Sequence, residues 1–276
     1  MTKGAITRSL NLGRIDDGCI ALFGGIYSNY LALEQACIDA KARGATRLFC
    51  LGDMGAFGPH PDRVFPLLKQ HQVICLQGNY DDSVGNRRED CQCGYLDERD
   101  NRFAQISYDY TLARTNTENR AWLRELPTEI RFIWNGKRVL LCHGSPRRTN
   151  EFLWESTSST AFLEYLSHEH QADLVACTHT GLHWERKLTE GRLFFNVGAL
   201  GRPANDGRTC VWYAMLSVVS GEVKLEFVPL AYDHEQLASE METEGLPAEF
   251  VETVRTGWWT SCLEVLPGRE RKQGKF

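Results

Sequence analysis

A chain of 276 residues with 42% hydrophobic content can bury a substantial core, as one large domain or two small ones. Its formal charge of −5 and pI near 5.9 argue against the concentrated basic face that a nucleic-acid duplex demands. No apolar stretch reaches the ~20 residues that cross a bilayer, and the opening MTKGAITRSLNLGRIDDG lacks the apolar centre of a secretory leader. The ten cysteines are therefore expected as reduced thiols of a cytoplasmic protein. Cys19, Cys50, Cys75, Cys142 and Cys177 sit in apolar strand-like runs as small core residues. No Pro/Ser-rich linker, repeat or low-complexity run divides the chain. One domain over 1–276 is expected, with its core at about 18–257 and a C-terminal extension at 258–276.

Taken in chain order, Cys19–Phe23 reads as a short strand ending at Gly24-Gly25. Asn29 opens a helix whose Leu33, Ala36, Cys37 and Ala40 keep helical spacing up to Gly44. Arg47–Leu51 is a strand, Pro61–His71 a helix and Val73–Leu76 a third strand. The stretch Asp90–Tyr110 reads as a long irregular connection, a candidate lid or specificity loop. Thr117–Glu125 is a helix closed by Pro127, and Ile130–Trp134 and Arg138–Cys142 flank the hairpin signal Asn135-Gly136. A helix at Thr160–His168 precedes strand Leu174–Cys177. The remainder, Trp184–Leu188, Leu193–Asn196, Cys210–Leu216 and Val223–Pro229, reads as largely antiparallel, with turns at Glu190-Gly191 and Ser220-Gly221. Helices at His234–Glu242 and Pro247–Arg255 follow. Trp258-Trp259 is expected to pack on the body or on a second copy of the chain, which leaves a homo-oligomer open.

Four residues close or follow these strands with metal-ligating chemistry: Asp53 in LGDMGAFGP, Asn79 in QGNYDD, His143 in LLCHGSP and His179 in CTHTGLH. A carboxylate, an amide oxygen and two imidazoles suit Mn, Fe or Zn better than Mg or Ca. Each alone has an ordinary reading, a turn cap for Asp53 or Asn79 and a core histidine for the other two. In this order, with Gly25-Ile26-Tyr27-Ser28-Asn29 before them and Thr178-His179-Thr180-Gly181 among them, the chain resembles the calcineurin-like metallophosphoesterases, especially their compact prokaryotic branch. The motif order there is D-x-H-G-N, G-D, G-N-x-D, H-G, G-H-T-H and N-P-G-S, and the resemblance covers roughly residues 18–257.

That resemblance implies an α/β (α+β) fold of two mixed β-sheets packed face to face with flanking helices, a four-layer sandwich. It also implies a small phosphorylated substrate, a phosphomonoester or phosphodiester, hydrolysed through a metal-activated water. Carried over residue by residue, the set for one ion becomes Gly25, Tyr27 and Gly181, which are not usual ligands. The set for the other survives as Asn79, His143 and His179, with Asp53 shared. One divalent ion per chain is expected. Three groups could rebuild the lost site: His183 by a loop shift, Cys91 or Cys93 as thiolates, or Tyr27 as a phenolate. Tyr80 stands where some relatives carry a proton-donating His, and Arg147, Arg148 and Arg202 are candidate phosphate forks. The alternative is a degenerate member acting as a phosphate-ligand sensor or scaffold.

Overall fold

The computed structural model describes residues 8–15 and 18–273; the first seven residues, within the stretch read for a leader, lie outside the described part. Strand β1 (Ser9–Arg14) precedes β2 (Cys19–Phe23), α1 (Tyr30–Ala42) and β3 (Ala45–Cys50). A 3-10 turn at Pro61–Arg63 leads into α2 (Val64–Gln70), then β4 (Ile74–Cys75), α3 (Asn79–Asn86), α4 (Glu98–Arg114) and α5 (Thr117–Glu125). The hairpin β5 (Glu129–Trp134) and β6 (Lys137–Cys142) is followed by α6 (Thr160–Glu169), β7 (Leu174–Cys177), β8 (His183–Lys187) and β9 (Leu193–Val197). A second hairpin, β10 (Val211–Val219) and β11 (Glu222–Leu230), and helices α7 (His234–Thr243), α8 (Ala248–Thr256) and α9 (Gly268–Gln273) complete it.

These strands form a six-stranded sheet, β1-β5-β6-β7-β9-β8, and a five-stranded sheet, β11-β10-β2-β3-β4. Both are mixed: β6, β7 and β9 run parallel in the first, and β2, β3 and β4 in the second. The sequence expectation of an antiparallel second half thus fails at β9, which pairs parallel with β7 and antiparallel only with β8. Alternation with period two packs the sheets face to face. Ile20, Leu22, Phe49 and Leu51 of one sheet meet Phe132, Trp134, Leu141, Ala176 and Phe195 of the other in one buried cluster. The intervening residues point outward. Phe23, Leu48 and Cys50 join α1, α4, α7 and α8 on one side, and Leu140, Val175 and Phe194 join α6 on the other. The result is helix, sheet, sheet, helix.

The stretch read as a lid is largely helix: α4 starts at the Asp97 N-cap, whose carboxylate accepts from the Arg99 and Asp100 amides. Three elements escaped the sequence reading altogether: the exposed edge strand β1, helix α3, which begins at Asn79 itself, and the C-terminal helix α9. Cysteine chemistry also differs from expectation at one place, because Cys91 and Cys93 are joined as a disulfide while the other eight stay free. No described helix is long and apolar enough to cross a membrane.

Candidate metal centre

Parallel strands gather their C-terminal ends at one edge, and loops leaving those ends converge. Asp53 follows β3 and Asn79 follows β4 in the five-stranded sheet. His143 follows β6 and His179 follows β7 in the six-stranded sheet. Each sheet therefore supplies half of the donor set, and the seam between them brings the halves together. Asp53 and His179 both adopt left-handed backbone, with φ of 60° and 70°. Such strain in non-glycine residues persists only where surrounding contacts hold it, and it gathers at functional sites.

Those contacts are specific. The Asp81 carboxylate accepts from the amides of Asp53 (2.7 Å), Gly78 (2.8 Å) and Met54 (3.0 Å), binding the β3 and β4 loops to each other. The Asp53 carbonyl accepts from Ile26 and Tyr27, which anchors the loop after β2. The Tyr80 amide donates to Asp53 Oδ1 at 3.1 Å, leaving Oδ2 to face His143. Gly52, with φ of +93°, has no room for a side chain: a Cβ there would stand 2.4 Å from the Gly78 nitrogen.

The donor atoms of Asp53, His143 and His179 all lie within 4.8 Å of one another, and all three residues are buried. His143 Nε2 is 3.2 Å from Asp53 Oδ2 and 3.2 Å from His179 Nδ1. Two ligand atoms at ~2.1 Å from a common ion stand roughly 3.0–3.5 Å apart, so the spacing suits one ion. The other ring nitrogen of His143 lies 2.6 Å from the Leu51 carbonyl, an acceptor only, so Nδ1 carries the proton and Nε2 offers its lone pair to the cluster. The Phe152 ring packs on His179 with centroids 4.3 Å apart and holds its plane.

Asn79 lines the same cavity as Asp53 and His179. Its Nδ2 donates to the Cys91 carbonyl at 2.9 Å and lies 3.4 Å from Cys93 Sγ, which turns Oδ1 the other way. That Oδ1 is buried without a partner, and a buried orphan acceptor is costly unless a ligand meets it. Carboxylate, amide oxygen and imidazoles thus fit a divalent ion. Burial opposes charge on His143, yet the Asp53 carboxylate raises its pKa above the ordinary value. Burial and then the neighbouring His143 push His179 down to about 3. The cluster favours positive charge beside Asp53 but not on both rings.

The site opens on a small cavity of about 60 Å³, lined by Asp53, Asn79, Tyr80, His179, Tyr27 and Arg202 among others. Ser261 and Cys262, from the stretch read as an extension, also line it, so that segment contributes to the centre. Other expected residues stand elsewhere. Arg147 is exposed, pairs with Glu151 and stacks on Phe162, while the exposed Arg148 likewise stays outside the cavity. Tyr80 lines the cavity, but its hydroxyl donates to the Ala104 carbonyl at 3.2 Å and burial raises its pKa, a poor arrangement for a proton donor. His183 stacks between Trp212 and Phe227, at ring distances of 4.4 and 4.8 Å, and does not reach the cluster. Cys91 and Cys93 pair with each other in place of offering thiolates. Tyr27 lines the cavity with its phenol pushed well above its ordinary pKa by burial and by Asp53, which disfavours a phenolate.

Sequence reasoning assigned no role to Asp81, although the fourth residue of Gly78-Asn79-Tyr80-Asp81 was the available signal. It gave the cavity wall from Ser261 and Cys262 no role either. A larger hollow of about 510 Å³ lies along β1 and β5, but its Arg131 and Arg138 already pair with Glu129 and Asp173.

Comparison with known proteins agrees with this architecture. An uncharacterised protein of Methanocaldococcus jannaschii is 26% identical over 243 residues, spanning 83% of this chain and 93% of that relative. A hypothetical protein of Pyrococcus horikoshii OT3 superposes with a TM-score of 0.73 at 18% identity, over 88% of this chain and 99% of the other. A metallophosphoesterase of Sphaerobacter thermophilus does so with a TM-score of 0.66 at 23% identity, over 88% and 100%. Both likenesses are of fold. The family model of the calcineurin-like phosphoesterase superfamily domain matches residues 20–221, from β2 to the turn before β11, and the chain belongs to that superfamily.

Proposed function

We propose that the protein is a metal-dependent phosphoesterase holding one divalent ion, Mn, Fe or Zn, at Asp53, Asn79, His143 and His179, and hydrolysing a small phosphomonoester or phosphodiester. The observation that carries this is the buried donor cluster, three ligand atoms within 4.8 Å beside the orphaned Asn79 Oδ1. When bound, such an ion acidifies a water and polarises a phosphoryl oxygen. The chain does the remaining work. The Leu51 carbonyl fixes the His143 tautomer and the Tyr80 amide orients Asp53. Gly25 and Gly181 carry no side-chain donor, so a second ion has too few ligands to compete with water.

Metal analysis of protein purified without added ions should give one ion per chain. It should be lost in His179→Ala and retained in Tyr27→Phe and Cys91→Ser. The loaded protein should hydrolyse an aryl phosphomonoester or diester, and Asp53→Ala and His143→Ala should not. Two ions per chain would overturn the one-ion reading. A second reading, a phosphate-ligand sensor, is favoured by one observation: about 60 Å³ is far below the ~300–1,000 Å³ of sites that hold organic ligands. A loaded protein that is stabilised by phosphate compounds but turns none over would decide for it.

A further inference from the structure

The directions that ligands of a second ion would take are filled by the chain itself. A Cβ built on Gly25 would stand 2.4 Å from the Tyr27 ring, and one on Gly181 would stand 3.1 Å from the Trp259 ring. Beside these rings lies the guanidinium of Arg202, on the same cavity as Asp53, Asn79 and His179. Its Cζ sits 3.8 Å over the Trp259 ring and 5.1 Å from the Phe57 centroid, and one Nη donates to the Ser261 carbonyl at 2.6 Å. The residue is only 7% exposed, its Nε is buried without a partner, and no described carboxylate pairs with it.

A guanidinium stays charged at any physiological pH, and a buried charge without a counter-charge is among the most costly features a fold carries. Stacking on two aromatic faces offsets part of that cost without supplying a negative charge. The Cys262 thiol lies beside the guanidinium and the buried Asp100 carboxylate acts on it only from beyond ion-pair distance, so no counter-charge is in contact with it. A tetrahedral oxyanion fits it, because a guanidinium fork matches two of its oxygens. The cavity that Arg202 shares with the donor cluster provides the approach.

We infer that Arg202 is an anion-binding group that replaces the second ion electrostatically, gripping a phosphoryl group from one side of the cavity while the ion at Asp53, Asn79, His143 and His179 grips it from the other. The second half of that grip rests on the metal site proposed above; the Arg202 half does not. Arg202 therefore works as a fixed charge, present in protein with or without metal, and its aromatic seat sets where the phosphoryl oxygens lie.

The test uses inorganic phosphate and the full chain, as wild type, Arg202→Met and Arg202→Lys, each with its metal content measured. Phosphate should raise the melting temperature of the wild type by several degrees. Arg202→Met should bind phosphate at least tenfold more weakly by titration calorimetry, with unchanged metal content, and Arg202→Lys should fall between. In phosphate-free buffer Arg202→Met should melt no lower than the wild type, because an uncompensated charge has been removed; a purely structural arginine would give the opposite. Equal phosphate binding by wild type and Arg202→Met would overturn the inference, as would a wild type that ignores phosphate. Arg202-dependent phosphate binding in a protein that takes up no ion even when Mn, Fe or Zn is supplied would sink the metal proposal and leave this one standing.

Discussion

Asp81 makes no contact with the donor atoms themselves, yet it fixes where two of them stand. Its carboxylate takes three amides, from Asp53, Met54 and Gly78, at the point where Asp53 holds a strained φ of 60°. Each buried donor left without a partner costs about 1–3 kcal/mol, and the three share one acceptor, so the losses do not simply add. Asp81→Ala should lower stability by roughly 3–5 kcal/mol, read as a shift in urea midpoint. It should also weaken metal binding, because the Asp53 and Asn79 loops lose their tie. Unaltered metal content and midpoint would show that the loops hold themselves. The four donor residues were legible because each lies in a short motif directly after a strand. Arg202 was legible as an arginine near the site, but its setting was not: Trp259 and Ser261, 57 and 59 positions further along the chain, decide that it is stacked, buried and unpaired by acid.

Helices and strands were legible in proportion to how plainly apolar their buried faces are. α1 shows Leu33, Ala36, Cys37 and Ala40 on one face, and its expected Asn29 N-cap accepts from the Ala32 amide. α4 hides its period because its buried face includes Asp100, Ser107 and Thr111. These polar residues are not idle: the Ser107 and Thr111 hydroxyls accept from the Phe57 and Ala56 amides, at 2.7 and 3.3 Å, and bind the helix to the loop after Asp53. A hydropathy period cannot register a face built to hold a neighbouring loop by hydrogen bonds. β8 carries a different kind of hidden constraint. His183 on this strand packs against Trp212 and Phe227, and burial, opposed by Asp206 and aided by Arg208, lowers its pKa to about 4. The unfolded chain takes up a proton near pH 6.5 and the folded chain does not until about pH 4. The stabilising contribution is therefore complete above pH 6.5 and is lost as pH falls from there towards 4, at up to ~1.4 kcal/mol per pH unit. His183→Phe should lose less stability than wild type over that interval, by about 2 kcal/mol between pH 6.5 and 4.5 in paired urea titrations. Other buried histidines, His179 among them, titrate in both proteins and cancel in the difference. Parallel acid dependence in the two proteins would show that His183 is not held neutral.

The whole molecule places its candidate metal donors across the seam of two sheets, Asp53 and Asn79 from one and His143 and His179 from the other. Between these sheets lies a continuous apolar cluster, so the sandwich is expected to fold without an ion; the proposed ion would add a crosslink at one end. The sheet-on-sheet architecture was legible from alternating strands and ordered motifs. The small cavity was not, because its wall includes the segment around Trp259, Ser261 and Cys262, which has no pattern of its own. A ligand bound only by the native state stabilises it by RT ln(1 + [L]/Kd), about 2.7 kcal/mol when free ion is a hundredfold above Kd. For a chain of this size, each kcal/mol moves the melting temperature by ~2–4 °C, so chelation should lower it by roughly 5–10 °C. Readdition of Mn or Zn should restore it. His179→Ala and Asp53→Asn should melt at one temperature with or without chelator, because the crosslink has lost a donor from one sheet or the other. Each variant also loses native contacts, so the reading is the chelator-dependent difference and not the absolute temperature. A wild type whose melting is indifferent to chelator and to added metal would mean that the four donors hold no ion tightly. That end of the seam would then be held by direct contacts of His143 with Asp53, His179 and the Leu51 carbonyl, beside the apolar cluster.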